Sequence, residues 1–134
     1  MLENEEEPGW LAMVKQGATT VWEHYNGYDK DGHPLDTSFN HYSPGAVCSF
    51  LFEYVAGIRP AGERAFLFKP VPGGTFTFAR AKWDSPYGTV RAGWKKDGGA
   101  FTYEIEVPSN CSAAVELPDG RNMHVGAGQY EYKF

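Results

Sequence analysis

A carboxylate stands directly beside an indole at Trp22-Glu23, behind the string Gly17-Ala18-Thr19-Thr20-Val21. An amide and an imidazole follow at Asn40 and His41, inside Ser38-Phe39-Asn40-His41-Tyr42. An ionised glutamate can take a proton from water. An amide and an imidazole can both donate to and accept from hydroxyl groups. An indole offers a flat apolar wall. Each residue also has a plainer reading. A lone glutamate is a solvated surface group, an imidazole in Asn-His-Tyr is a satisfied structural histidine, Asn40 caps the turn ahead of Pro44, and Trp22 fills a core.

The elements that must position these residues are short and irregular. The acidic lead Glu3, Glu5, Glu6 and Glu7 reads as frayed. Trp10, Leu11, Met13 and Val14 form a brief apolar patch that Gly17 stops. Asn26 to Phe39 is a long polar loop punctuated by Asn26-Gly27, Asp31-Gly32 and His33-Pro34. Thr19 and Thr20 have the chemistry to bond nearby backbone. Ser43-Pro44 predicts a cap followed by proline in the first turn of a helix. Ala46, Val47, Phe50, Leu51, Tyr54 and Val55 then fall on a helical stripe. Gly57 ends that helix and Pro60 prevents its resumption. Phe52, Ala56 and Cys48 widen its apolar face, so it needs neighbours on several sides.

After about residue 60 the pattern changes to period two. Phe66 and Phe68 lead to the turn Pro70-Val71-Pro72-Gly73-Gly74. Phe76 and Phe78 alternate with Thr75 and Thr77. The phase then swaps to Ala79, Ala81 and Trp83, which predicts a bulge or strong twist. Val90, Ala92 and Trp94 precede the hairpin signal Asp97-Gly98-Gly99. Phe101, Tyr103, Ile105 and Val107 give the cleanest alternation, and Ala113, Val115, Leu117, Tyr130, Tyr132 and Phe134 complete the series. The spacing predicts a mainly β chain, an antiparallel β-sandwich of about six or seven strands preceded by a helical segment.

Composition narrows the partners. The net charge is −5 with no basic stripe, so nucleic acid is not an expected partner. No apolar run approaches the roughly 20 residues of a membrane span, and the first residues lack the order of a signal peptide. Cys48 and Cys111 are too few for a disulfide scaffold and read as free thiols. His24, His33, His41 and His124 lack zinc spacing, and Asp29-x-Asp31-Gly32 lacks the ligand ladder of a calcium loop. No metal and no cofactor is expected.

Pro8-x-Trp10, Gly-Ala-Thr-Thr-x-Trp-Glu ending at Glu23, Asn40-His41-Tyr42, Gly45-Ala46-Val47 and Ala56-Gly57-Ile58 resemble the C-terminal end of bacterial α-L-rhamnosidases. Ser85-Pro86-Tyr87-Gly88, Trp94, Val107-Pro108-Ser109-Asn110 and Val125-Gly126-Ala127-Gly128-x-Tyr130 continue the resemblance through the β half. His24 and Tyr25 depart from it, since the family more often has Arg and Trp there. The resemblance implies that residues 1–60 are the end of an (α/α)6 barrel catalytic domain and residues 61–134 a C-terminal β-sandwich domain. It implies an inverting hydrolase acting on terminal α-L-rhamnosyl residues, with rhamnosides as ligands and the upstream barrel as an intramolecular partner. Glu23 matches the general base, and Trp22, Asn40 and His41 match substrate contacts. Inversion needs a second carboxyl about 6.5–9.5 Å away, which the resemblance places upstream.

Two alternatives carry a different function. The sandwich could serve only as a structural cap, or it could be a carbohydrate-binding module with Trp83 and Trp94 as a platform; as strand residues, both fit a core equally well. Val47, Phe50, Leu51 and Tyr54, left without barrel neighbours, also predict self-association or disorder near the N-terminal end.

Overall fold

The structure, a computed structural model, describes residues 2–134. It divides into two compact units, residues 1–48 and 49–134.

The first unit holds one short helix, α1 (Trp10–Lys15), and otherwise irregular chain. The helix ends as its sequence dictates. Gly17 takes φ 84°, its N–H donates to Val14 O at 3.0 Å, and the Ala18 N–H donates to Met13 O at 3.0 Å. This paired closure needs a left-handed residue after the cap, and glycine adopts that conformation without a Cβ penalty. The acidic lead is not frayed. Asn4 accepts the Glu6 N–H and donates to Pro8 O, and Glu5 pairs with Lys15. Gly9 is buried beneath that turn, where an added Cβ would stand 2.3 Å from Asn4 O. The short polar side chain, rather than apolar burial, folds the lead back.

A helical run continues from Pro44 to Ala56. It passes from a 3-10 turn (Pro44–Ala46) through α2 (Val47–Phe50) into a π turn (Leu51–Ala56). Ser43 has helical dihedrals and makes no side-chain cap bond, so the expected cap is absent and proline alone starts the run. Gly57 stops it at φ 83°, as expected.

The second unit is a β-sandwich of eight strands, one or two more than the alternation suggests. Its first sheet is ordered β1-β2-β6-β7: β1 (Ile58–Gly62), β2 (Ala65–Phe68), β6 (Ser112–Glu116) and β7 (Asn122–Val125). Its second is ordered β3-β4-β5-β8: β3 (Phe78–Ser85), β4 (Gly88–Asp97), β5 (Ala100–Val107) and β8 (Gly128–Lys133). All pairings are antiparallel except β2 with β6. The two strands absent from the sequence reading, β1 and β7, are both edges. Pro60 sits in one, and the other is four residues of mixed polarity; edge strands tolerate proline and blunt aggregation in this way.

The expected bulge near Phe78 is not present. The β3–β4 register runs unbroken from Phe78↔Lys95 to Ser85↔Gly88. The phase changes because Thr75–Thr77 precede the strand. Phe78 is largely exposed, while Phe76 packs on the core from the loop.

The core lies between the sheets. Phe66, Phe68, Ala113 and Val115 from one meet Val90, Ala92, Trp94, Tyr103 and Ile105 from the other. Trp94 and Tyr103 are essentially inaccessible, and burial pushes the Tyr103 phenol far above its ordinary pKa. Trp83 is half-buried edge-on to Phe66 at 5.7 Å. The aromatic platform of the binding-module reading is therefore taken up by the core.

Candidate functional site

The chain from Ala18 to Ser43 has no regular helix or sheet, and a ring cluster holds it instead. Trp22 is buried. It meets Tyr28 and Phe39 edge-on, with centroids 5.7 Å and 5.1 Å away, and Tyr28 and Phe39 lie 5.4 Å apart. Gly27 is buried against these rings: a Cβ there would stand 2.5 Å from the Phe39 ring and 2.7 Å from the Trp22 ring. The Asn26-Gly27 pair reads as a turn in the sequence, but its glycine makes room for aromatic packing. Trp22 thus has the core role of its plainer reading. Trp10 and Tyr25 make a second edge-on pair at 6.1 Å.

Three bonds, besides the one to the Glu23 carboxylate, zip residues 20–23 to residues 38–41. The Glu23 N–H donates to Ser38 O at 2.8 Å, and the His41 N–H donates to Val21 O at 2.8 Å. The Thr20 hydroxyl donates to Phe39 O. The threonine therefore bonds backbone, as expected, but on the distant strand of the zipper. This brings Trp22, Glu23, Asn40 and His41 onto two adjoining stretches of chain.

Glu23 is exposed, yet its carboxylate is anchored. Oε2 accepts the Ser38 N–H at 3.1 Å and the Thr37 hydroxyl at 3.4 Å. The Ser38 amide holds the carboxyl below the usual glutamate range. Partial desolvation opposes this, and nearby His41 and His24, together with the Thr37 hydroxyl, reinforce it. At neutral pH the group is an anion with a lone pair free for a proton. Ser38 belongs to a string already singled out in the sequence. Thr37 does not, and no local signal marks it.

His41 is half-buried and stacks on Tyr42 at 5.2 Å. Its Nδ1 accepts the Ser43 N–H at 3.3 Å. That acceptor role puts the neutral-ring proton on Nε2, available to an oxygen ligand. Asn40 is exposed, and its N–H is turned to Ser38 Oγ at 3.3 Å.

Asp29, Asp31 and His33 also converge, with donor atoms within 4.8 Å of one another. Asp29 Oδ1 already accepts the Asp31 and His33 amides at 2.9 Å each. All three are exposed, and the cluster serves as a turn.

The β unit has its own open groove of about 780 Å3 on the outer face of the β3-β4-β5-β8 sheet, between Arg80, Lys82, Arg91, Glu104, Glu106 and Glu131.

Known proteins match both halves. The bacterial α-L-rhamnosidase 6 hairpin glycosidase domain matches residues 1–55, and the bacterial α-L-rhamnosidase C-terminal domain matches residues 57–131. An α-L-rhamnosidase of Formosa agariphila is 37% identical over 123 residues, which are 88% of this chain and 13% of that protein. One from Streptomyces avermitilis is 38% identical over 116 residues, 83% of this chain and 11% of that protein. The crystal structure of an Aspergillus terreus α-L-rhamnosidase superposes with a TM-score of 0.92 at 40% identity, covering 99% of this chain and 16% of that one. The chain thus spans between 11% and 16% of these relatives. With the C-terminal domain matched over residues 57–131, nearly all of the β-sandwich, and the hairpin domain across the residues before it, the chain belongs to the bacterial α-L-rhamnosidase family.

Proposed function

We propose that this chain is the C-terminal part of an inverting α-L-rhamnosidase, and that Glu23 is its general base. The observation that carries the reading is the anchoring of Glu23. A general base must be ionised at working pH and held in one direction. The Ser38 amide and Thr37 hydroxyl do both, since they favour the charged form and occupy one oxygen. The other oxygen is left for water. His41 presents its Nε2 proton to a sugar hydroxyl, Asn40 supplies a second polar contact, and the buried Trp22 ring supports the site from beneath, packed on Tyr28 and Phe39.

The reaction balances with one further group. Water loses a proton to Glu23 as it attacks the anomeric carbon, and a carboxylic acid elsewhere in the polypeptide gives its proton to the departing oxygen. That acid lies outside this chain. The 134 residues alone are therefore inert.

Incubation with an aryl α-L-rhamnoside tests this directly. No turnover is expected from the purified chain; turnover above the uncatalysed rate would show that both carboxyls are present. In the longer polypeptide, Glu23→Gln should lower kcat by about 10²–10⁴-fold while the fold survives. Near-normal activity would move the base elsewhere.

A further inference from the structure

The π turn Leu51–Ala56 and the Gly57 that caps it end in six consecutive backbone carbonyls, Phe52 to Gly57, and each has a named donor. Phe52 O takes the Gly57 N–H. Glu53 O takes Arg59 Nε at 2.9 Å. Tyr54 O takes the Val71 N–H at 2.8 Å. Val55 O takes Trp94 Nε1 at 2.6 Å, and Ala56 O takes the Tyr103 hydroxyl at 3.1 Å. Gly57 O takes the Lys69 N–H at 2.9 Å.

A helix leaves its last carbonyls without internal partners, and a π turn leaves one more than an α turn does. Such groups ordinarily face water. Here five of the six donors come from the strands and connections of the sandwich. Two of them, Trp94 and Tyr103, are large side chains at the centre of its core, where each would otherwise bury an unpaired polar atom. The Arg59 guanidinium adds a positive charge at the negative end of the helix and stacks on Tyr54 at 4.3 Å. The family match to the hairpin domain runs to residue 55, yet residues 49–55 fold with the sandwich.

We infer that the C-terminal sandwich is a receptor for the end of the hairpin domain's last helix, and that Trp94 and Tyr103 are positioning residues which keep its final turn wound. The helix end supplies acceptors that the core donors need, and the core supplies donors that the helix end needs. Residues 51–57 therefore stay wound only while these donors are in place. This holds whatever the role of Glu23, because every group involved lies between Leu51 and Tyr103.

Amide hydrogen exchange on the full chain tests it. Tyr103→Phe keeps its ring and removes one donor, and Trp94→Phe removes another while replacing the indole with a smaller phenyl ring. Arg59→Met removes a third from an edge strand. Each should speed exchange at residues 54–57 by about tenfold, the effect of leaving one buried carbonyl unpaired, while the amides of Phe101–Val107 change much less. If Trp94→Phe does not fold, Tyr103→Phe and Arg59→Met give the same readout. Unchanged exchange at 54–57 in those variants overturns the inference. So does an equal loss along β5, which would mean that the bonds support the sandwich as a whole and do not wind the helix end.

Discussion

Glu23 and Ser38 hold each other reciprocally. The Glu23 N–H donates to Ser38 O at 2.8 Å, and the Ser38 N–H returns to the Glu23 carboxylate at 3.1 Å. They stand fifteen positions apart in the chain, with a loop of three aspartates and a histidine in the interval. The carboxylate is thus fixed by backbone geometry and not by a cationic partner, so its charge remains available.

This relationship has a pH signature. The carboxyl titrates below the ordinary glutamate value because the Ser38 amide favours the anion, with His41 and His24 in support. A depressed folded pKa contributes stability above the unfolded pKa, and that contribution is lost as pH falls through the folded one. A carbon-13 titration of the Glu23 side chain should therefore show a midpoint below that of an unstructured glutamate, and Thr37→Val should raise it. A Glu23 midpoint at or above the unstructured value would remove the anchoring argument. The stability change is small, since the group is exposed.

The ring cluster predicts where the first unit is brittle. Trp22→Ala should cost about 3–5 kcal/mol of that unit's stability, the range for a buried aromatic replaced by a methyl group. Gly27→Ala should also destabilise it, because the new Cβ meets two rings at once. Near-UV circular dichroism during urea unfolding reads both. A wild-type midpoint in Gly27→Ala would show that the rings shift freely.

Gly57 is the sharper case. Its φ of 83° disfavours any side chain, and a Cβ there would stand 2.3 Å from Pro70 N and 2.5 Å from Lys69 C. Both neighbours are backbone and cannot rotate away. Gly57→Ala should therefore cost more than the roughly 1–2 kcal/mol of left-handed strain alone, with a lowered thermal midpoint. Gly98→Ala also has positive φ but nothing within 4 Å, and it should show the strain term only.

The helical run leaves Phe50, Leu51, Phe52 and Tyr54 exposed, with Phe50 stacked on Tyr54 at 5.4 Å. A contiguous patch of this kind drives association. Light scattering should give a mass above the monomer that rises with added sulfate, which strengthens apolar burial. Leu51→Ser with Phe52→Ser should restore the monomer. A wild-type monomer at high concentration in sulfate would contradict this.

Much of the sandwich was legible because burial on one face leaves a two-residue rhythm. Phe101, Tyr103, Ile105 and Val107 are buried as their alternation requires. Ile58-Arg59-Pro60 is short and broken by proline, and Asn122-Met123-His124-Val125 alternates over only four residues, too few to stand out as a strand. At Phe78 the residue type misled: its ring points outward while Phe76, outside the strand, fills the core. At the candidate site the residue types were legible and their fixing was not. Nothing in the sequence pairs Ser38 with Glu23, or lays Phe39 on Trp22, since irregular chain has no period to read. The Asn4 turn and the missing Ser43 cap were hidden for the same reason, being decided by single local bonds.

The two thiols have opposite fates. Cys111 is buried in the sandwich, while Cys48 is exposed on α2, the last residue of the first unit. A maleimide dye added to the folded protein should therefore attach at one place only, so an unmutated chain comes with its own fluorescent handle on the exposed thiol of α2.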